Sequence, residues 1–288
     1  MTEPLRAWLD RATDRLSGAG VSTPRADALL LAGHVLEADR GEVERRALLG
    51  HLLPAEAVAP LDALLDRRAR REPLQHLTGV APFRRLELAV GPGVFVPRPE
   101  TEGTAGLAIA AARSAGQAPV VVDLCTGSGA IALAVADEVP GARVHAVELD
   151  PRAHAWAQRN RERTSLPVDL RLGDATTALT ELDGTVDVVV ANPPYIPDGM
   201  VPREVEVRDH DPHVALFGRS ADGLAVPLAV ADRAGHLLRP GGRLVMEHAD
   251  SQGESLPQAL RDAGWLEVRD HLDLADRPRT VTATAPAR

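Results

Sequence analysis

Residues 186–195, Val-Asp-Val-Val-Val-Ala-Asn-Pro-Pro-Tyr, restrict the possible folds more than any other stretch of this 288-residue chain. A short β-branched run of this kind suits a strand buried on both faces of a parallel sheet. The strand must stop at Asn192, because Pro193 and Pro194 lack backbone N–H groups and fix φ twice. Carbonyls beyond that point have no ladder partner and are free to accept from a ligand. Tyr195, the only tyrosine in the chain, stands where its ring can cover a flat group held by Asn192 and the Pro193 carbonyl. Such a pocket suits a planar nitrogen carrying two hydrogens. Asn-Pro-Pro is also an ordinary way to end a strand, so the reading depends on what lies upstream.

From Pro119 the pattern alternates. Spacing predicts strands at 120–124, 142–149, 168–172, 186–191 and 242–248, with helices at 130–139, 151–163, 224–238 and 255–263. Two closing strands, 266–271 and 280–285, follow with no long helix between them. This is the signature of an α/β parallel sheet with helices on both faces and one antiparallel strand. Residues 1–75 read as helical instead. Leu5, Trp8, Leu9, Ala12 and Leu16 share one helix face, and a second helix opens with Thr23 as cap and Pro24 in its first turn. A third runs from Pro54 into the arginines at 67–71, expected as a solvated helix end. Residues 76–98 are expected to hold a β-hairpin, with 86–90 returning through 94–96 about Gly91-Pro92-Gly93. Pro97 and Pro99 stiffen the exit into a helix at 100–113. The expected domains are therefore 1–75, a hairpin linker at 76–98, and 99–288.

Composition narrows the chemistry. The chain is 44% hydrophobic but only 2% aromatic, so its core must be built from Ala, Val and Leu. A net charge of −9 argues against broad electrostatic capture of nucleic acid. All 32 basic residues are arginine, which excludes a lysine Schiff base. The single cysteine, Cys125, cannot form an intramolecular disulfide or a thiolate zinc site. His210 and His213 lack a third ligand at suitable spacing, so no metal is expected. With no basic-then-apolar leader and no run near the ~20 apolar residues that span a bilayer, the chain is expected to be cytoplasmic and free of membrane.

Asp-Leu-Cys-Thr-Gly-Ser-Gly-Ala, residues 123–130, joins the first strand of the alternating region to its helix. Glycines there let a ligand approach the backbone, and the helix start presents free amides. Glu148 ends the next strand, where a carboxylate can accept from both hydroxyls of a ribose. These residues imply a nucleoside-containing cofactor at the point where strand order reverses. The third glycine of a dinucleotide loop is absent. Together with Asn-Pro-Pro-Tyr, this favours S-adenosylmethionine over a nicotinamide cofactor or a nucleoside-binding module without catalysis.

Residues 123–134 and Asn-Pro-Pro-Tyr-Ile-Pro resemble the class I methyltransferases of planar amino groups. His76-Leu77-Thr78-Gly79, the run Val96-Pro97-Arg98-Pro99-Glu100-Thr101-Glu102, Glu206-Val207-Arg208, Asp222-Gly223-Leu224, and Glu247-His248 with Gln252-Gly253 are similar to the release factor glutamine N5-methyltransferases. The resemblance covers about residues 73–285. It implies a Rossmann-like, mostly parallel seven-stranded sheet with a small helical N-terminal domain. It also implies methyl transfer from S-adenosylmethionine to the Gly-Gly-Gln glutamine of class I peptide chain release factors 1 and 2, by a monomer that needs no nucleic acid. Asn192, Pro193, Pro194 and Tyr195 would hold the glutamine amide, with Asn192, Pro193 and Tyr195 catalytic. Cys125, Thr126, Gly127, Ser128, Gly129, Glu148, Asp174, Ala175 and Asn192 would bind cofactor. Cys125 replaces a common glycine, which a negative φ would allow; Glu148 replaces aspartate, Ala175 an aromatic residue, and Asp211 a glutamate. Arg98 and Arg208 are expected to order loops over the acceptor pocket. Two readings compete: another acceptor, such as a ribosomal-protein glutamine or an amino group of DNA or rRNA, and a silent cofactor-binding scaffold.

Overall fold

The computed structural model describes residues 3–287. Helices α1 (Leu5–Gly18), α2 (Pro24–Leu36), α3 (Arg40–Leu48), α4 (Ala55–Ala69) and α5 (Leu74–Thr78) precede a hairpin of β1 (Val80–Phe83) and β2 (Leu86–Ala89). There follow α6 (Thr101–Ser114), β3 (Val120–Leu124), α7 (Ala130–Glu138), β4 (Arg143–Glu148), α8 (Pro151–Thr164), β5 (Val168–Leu172) and β6 (Val186–Ala191). The chain closes with α9 (Val205–His210), α10 (Ala225–Leu237), β7 (Leu238–Glu247), α11 (Ser255–Asp262), β8 (Leu266–Leu272) and β9 (Pro278–Thr284). It divides into two compact units. One is the chain up to Val80 with Pro202–His210, and the other is Ala81–Val201 with Asp211 onward. Among the described residues no helix is long and apolar enough to cross a membrane.

The helical unit is built on the face foreseen for α1. Trp8, Leu9, Ala12 and Leu16 are fully buried with Leu29, Leu61 and Leu65, each large side chain contributing about 1.5–3 kcal/mol of burial. The Trp8 indole N–H donates to Asp62 at 3.0 Å. Thr23 does not cap α2. Its hydroxyl donates to Asp27 Oδ1 at 2.8 Å, and Asp27 Oδ2 accepts from Arg68 Nε at 2.7 Å. The expected solvated arginine end is also corrected. Arg68 is buried, and a second nitrogen of it reaches Glu206 of α9 at 2.8 Å, while Arg71 donates to both oxygens of Glu206 at 2.8 and 2.5 Å. Although burial raises the Glu206 pKa, the guanidiniums of Arg71 and Arg68 hold it at about 2.

The second unit carries the sheet, in the order β5-β4-β3-β6-β7-β9-β8. Pairings from β5 through β7 are parallel, and β9 runs antiparallel to both neighbours. Alternation within the strands sets the layers. Val120, Val122, Leu124, Val189 and Ala191 pack with α10 and α11, whereas Val121, Val188 and Val190 pack with α6 and α7. Alanines on the buried helix faces, among them Ala105, Ala108, Ala132 and Ala234, fill the space that aromatics would otherwise take. The hairpin lies one strand earlier than expected. Its turn is Arg84-Arg85, with Arg84 at φ 52 and its guanidinium gripping both oxygens of Glu138. Val94 and Val96 form no strand but pack with Val90, Ala153 and Trp156.

Candidate active site

Strands β3 and β6 are neighbours, yet the chain runs outward from β3 through β4 and β5 before crossing back to β6. Open α/β sheets bind ligands outside the carboxyl ends of their strands at such a reversal. Register places Leu124 beside both Val147 and Ala191, and Glu148 beside Leu172. The loop 125–129, Glu148, Asp174, Ala175 and residues 192–195 therefore leave one edge of four adjacent strands.

In the loop, Gly127 and Gly129 take left-handed φ values of 59° and 84°. A Cβ on Gly129 would press on Leu133 at 3.2 Å, whereas one on Gly127 would meet nothing within 4 Å. Gly127 is thus the open side of the loop. Cys125 does not have the negative φ expected; at 67° it strains the backbone by roughly 1–2 kcal/mol. Burial, then Glu148, Asp123 and Asp174, push its thiol far above the ordinary range, so it serves as a protonated filler. The Thr126 hydroxyl donates to Asp123 at 2.6 Å. Ser128 is buried, and its carbonyl accepts from Asn160 Nδ2 at 2.9 Å. That same amide pairs with both backbone groups of Ala89 at 2.7 and 3.0 Å, locking the loop to β2.

Glu148 is nearly buried. Its oxygens accept from the amides of Gly127 and Asp150, each at 2.8 Å, while burial raises its pKa against those bonds. Asp174 accepts from the amide and hydroxyl of Thr176, which hold it low. The Ala175 side chain is buried in the core. Sequence reasoning gave no role to Asp123. It is fully buried and its pKa is raised to about 7, chiefly by burial, with Thr126 and Ala132 opposing and Glu148 adding. Its Oδ1 has no hydrogen-bond partner among the described residues. A buried carboxylate oxygen in want of a donor, beside two further acids, suits a cationic amino-acid group. The residues present therefore fit S-adenosylmethionine, which carries an ammonium, a sulfonium and a ribose.

The Asn-Pro-Pro-Tyr turn is held from behind. Asn192 is half-buried, and its Nδ2 donates to the Thr101 hydroxyl at 3.4 Å. Among the described residues no protein donor reaches Asn192 Oδ1 or the Pro193 carbonyl. The Tyr195 hydroxyl donates to Glu247 at 3.4 Å; burial first, then the Glu247 charge, raise its pKa. The Tyr195 carbonyl accepts from Gln252 Nε2 at 3.0 Å, and Gln252 also reaches Asp222 at 2.8 Å. Gly223, at φ 75, leaves no room: a Cβ there would lie 2.1 Å from the Tyr195 oxygen. Thr101, Glu247 and Gln252 were visible in the sequence only as parts of motifs. Their partners lie 52 to 91 residues away.

Arg98 pairs with buried Asp211 and lies 5.0 Å from the Phe95 ring centroid, so it orders the end of the loop that begins at Tyr195. Among the described residues, the Arg208 side chain pairs with its exposed neighbour Asp209 alone. His248 is buried, with its ring nitrogens against the Ala249 carbonyl and Asp270, each at 2.8 Å. It is a structural group.

Comparison with known proteins agrees with this geometry. A model described as the PrmC N-terminal domain matches residues 7–79, and one described as the methyltransferase small domain matches residues 85–206. The release factor glutamine methyltransferase of Streptomyces coelicolor is 51% identical over 97% of this chain and 97% of its own. Six others of that name are 42–47% identical. The 4-amino-L-phenylalanine/4-methylamino-L-phenylalanine methyltransferase of Streptomyces pristinaespiralis is 41% identical over 89% of this chain and 87% of its own. A solved methyltransferase from Pyrococcus furiosus shares the fold, with a TM-score of 0.51 and 18% identity over 70% of this chain and 90% of its own. Identity at this level across almost the whole chain, on a sheet whose reversal point carries the glycine-rich loop, makes the chain a member of the release factor glutamine methyltransferase family and an S-adenosylmethionine-dependent enzyme.

Proposed function

We propose that this protein methylates the side-chain amide nitrogen of the Gly-Gly-Gln glutamine in peptide chain release factors 1 and 2, acting as a monomer in the cytoplasm. One observation carries the reading. Two acceptors, Asn192 Oδ1 and the Pro193 carbonyl, stand without protein donors among the described residues at the exit of β6, and a primary amide has two N–H groups to offer them.

When bound, S-adenosylmethionine supplies a methyl carbon made electrophilic by its sulfonium. The residues 125–129, Glu148, Asp174 and the backbone at Ala175 hold it, with Asn192 at the boundary between cofactor and acceptor. An amide nitrogen is a weak nucleophile because its lone pair is delocalised into the carbonyl. By accepting both N–H groups, Asn192 and Pro193 turn that nitrogen toward the methyl and favour its pyramidal form. Pro194 and the Tyr195 ring close over the amide plane. A nitrogen–carbon bond would form as the carbon–sulfur bond breaks, the sulfonium leaving as a neutral thioether, and the proton then lost from the nitrogen would pass to solvent water. Placement of this kind supplies up to ~7–11 kcal/mol.

The arylamine named for one relative also presents a planar –NH₂ group. Turnover with unmodified release factor is therefore compared with turnover on 4-amino-L-phenylalanine and on a release factor whose Gly-Gly-Gln glutamine is alanine. Methyl transfer confined to the first substrate is expected. Faster transfer to the free amino acid would move the function to the arylamine reading.

A further inference from the structure

Asn160, on α8, is fully buried and stands outside the residues assigned above to cofactor and acceptor. Its Oδ1 accepts from the Ala89 amide at 2.7 Å, and its Nδ2 donates to the carbonyls of Ala89 at 3.0 Å and Ser128 at 2.9 Å. A backbone N–H can only donate and a carbonyl can only accept, so these three bonds permit one orientation of the side-chain amide and use both of its hydrogens. Ala157 lies three residues earlier on the same helix face, and its Cβ is 3.5 Å from the place a Cβ on Gly129 would take. Helix α8 therefore backs the glycine-rich loop at two neighbouring positions.

The bond to Ser128 controls more than one oxygen. The Ser128 carbonyl and the Gly129 N–H belong to one rigid peptide plane and point to opposite sides of it. That N–H donates to the Thr126 carbonyl at 2.9 Å, the bond that closes the turn 126–129. The Thr126 amide is anchored on the Val147 carbonyl at 2.9 Å and the Gly127 amide on Glu148 at 2.8 Å. The loop is thus tied to β4 at its start and to Asn160 at its end, where it enters α7.

We infer that Asn160 is a positioning residue for S-adenosylmethionine binding, fixing the Ser128–Gly129 peptide plane and through it the course of the loop from Thr126 into α7. This rests on the cofactor role proposed for residues 125–129 and Glu148. Asn160→Asp keeps the shape of the side chain, but an oxygen takes the place of Nδ2 and faces both carbonyls with at most one proton to offer. The peptide plane is then released, and the turn that it closes loosens.

Calorimetric titration with S-adenosylmethionine tests the inference, beside methyl-transfer kinetics and urea unfolding. Gln252→Glu is the comparison, because Gln252 is another buried amide whose Nε2 donates to two carbonyls, those of Tyr195 and Asp222, and it ends at the acceptor turn instead of the loop. Both variants should lose stability, so stability alone cannot separate them. Asn160→Asp should raise the dissociation constant and KM for S-adenosylmethionine roughly 10- to 100-fold and keep kcat at saturating cofactor within about threefold of the parent. Gln252→Glu should keep the dissociation constant within about twofold and lower kcat. An unaltered dissociation constant in Asn160→Asp while Glu148→Ala binds weakly, or an equal rise in Asn160→Asp and Gln252→Glu, would overturn the inference alone. Normal binding by Glu148→Ala would instead overturn the cofactor site on which it rests. If Asn160→Asp does not fold, Asn160→Ser, which removes the amide and leaves room for water, is held to the same bounds.

Discussion

Gly223→Ala tests whether the acceptor turn is held as tightly as its packing requires. Gly223 sits at φ 75, and a Cβ would lie 2.1 Å from the Tyr195 oxygen, 2.9 Å from Gln252 Nε2 and 3.0 Å from the Pro197 nitrogen. An alanine in left-handed backbone costs about 1–2 kcal/mol by itself. The Tyr195 carbonyl must also retreat by roughly 1 Å to reach ordinary contact, loosening the bond from Gln252, for about another 0.5–1.5 kcal/mol. Pro193 and Pro194 are stiff, so the displacement passes back to the acceptors, and an error of ~1 Å at a reacting group can lower turnover about 100-fold. Gly199→Ala is the control. It has φ 82 but nothing within 4 Å of the added Cβ, so it bears the backbone term alone. Urea unfolding and methyl-transfer kinetics are measured on both. Gly223→Ala should be less stable than Gly199→Ala and slower by about two orders of magnitude. Equal stability with kcat values within about threefold would refute the clamp.

Three other outcomes follow from the ionisable groups. Glu206→Gln should destabilise the helical unit by about 1–2 kcal/mol, because half-buried Arg71 loses its charged partner while buried Arg68 keeps Asp27. Glu206 is depressed to about 2 from an ordinary 4.5. Its stabilisation is complete above the ordinary value and disappears as pH falls toward the folded one, so the variant should lose that acid limb in urea titrations. Asp123 has the opposite sign. Its pKa is raised to about 7 from 3.8, so the folded state holds an extra proton between these values and stability falls as pH rises through the window. Asp123→Asn should flatten that slope and weaken S-adenosylmethionine binding at pH 8, as read by calorimetry; an unaltered slope would refute the burial argument. Cys125 should alkylate much more slowly than a free thiol with iodoacetamide at pH 8, and Cys125→Gly should be as stable as the parent or better, since glycine relieves the left-handed backbone.

The sheet was legible because its central strands β3 and β6 are apolar at all but one position each and their helices follow at short spacing. β3 and β6 were placed to the residue. β7 begins at Leu238 instead of Gly242 because its pairing with β6 shifts register between Val186 and Val188. The hairpin was misplaced because Gly91-Pro92-Gly93 is a stronger turn signal than Arg84-Arg85, whose left-handed arginine is held by Glu138 across 54 residues. Helices α3, α5 and α9 are short, and α3 and α9 are rich in charge, so their apolar periodicity was too weak to read. The arginine cluster looked solvated because Glu206 lies 135 residues from Arg71. In the candidate site, the loop and the Asn-Pro-Pro-Tyr turn were legible as local motifs, and the structure brings them to one edge of the sheet. Glu247, Thr101 and Gln252 act across the fold, and nothing in their own neighbourhoods signals what they hold. The left-handed φ of Cys125 likewise has no sequence signature, since a non-glycine there is held by its surroundings.

The most direct measurement is tandem mass spectrometry of unmodified release factor after incubation with the protein and S-adenosylmethionine, beside an identical reaction with Asn192→Ala. One methyl on the side-chain nitrogen of the Gly-Gly-Gln glutamine, lost in the variant, is the expected result. An unmodified glutamine with the parent protein, or an equal gain with Asn192→Ala, would contradict the assignment of the two open acceptors at the end of β6.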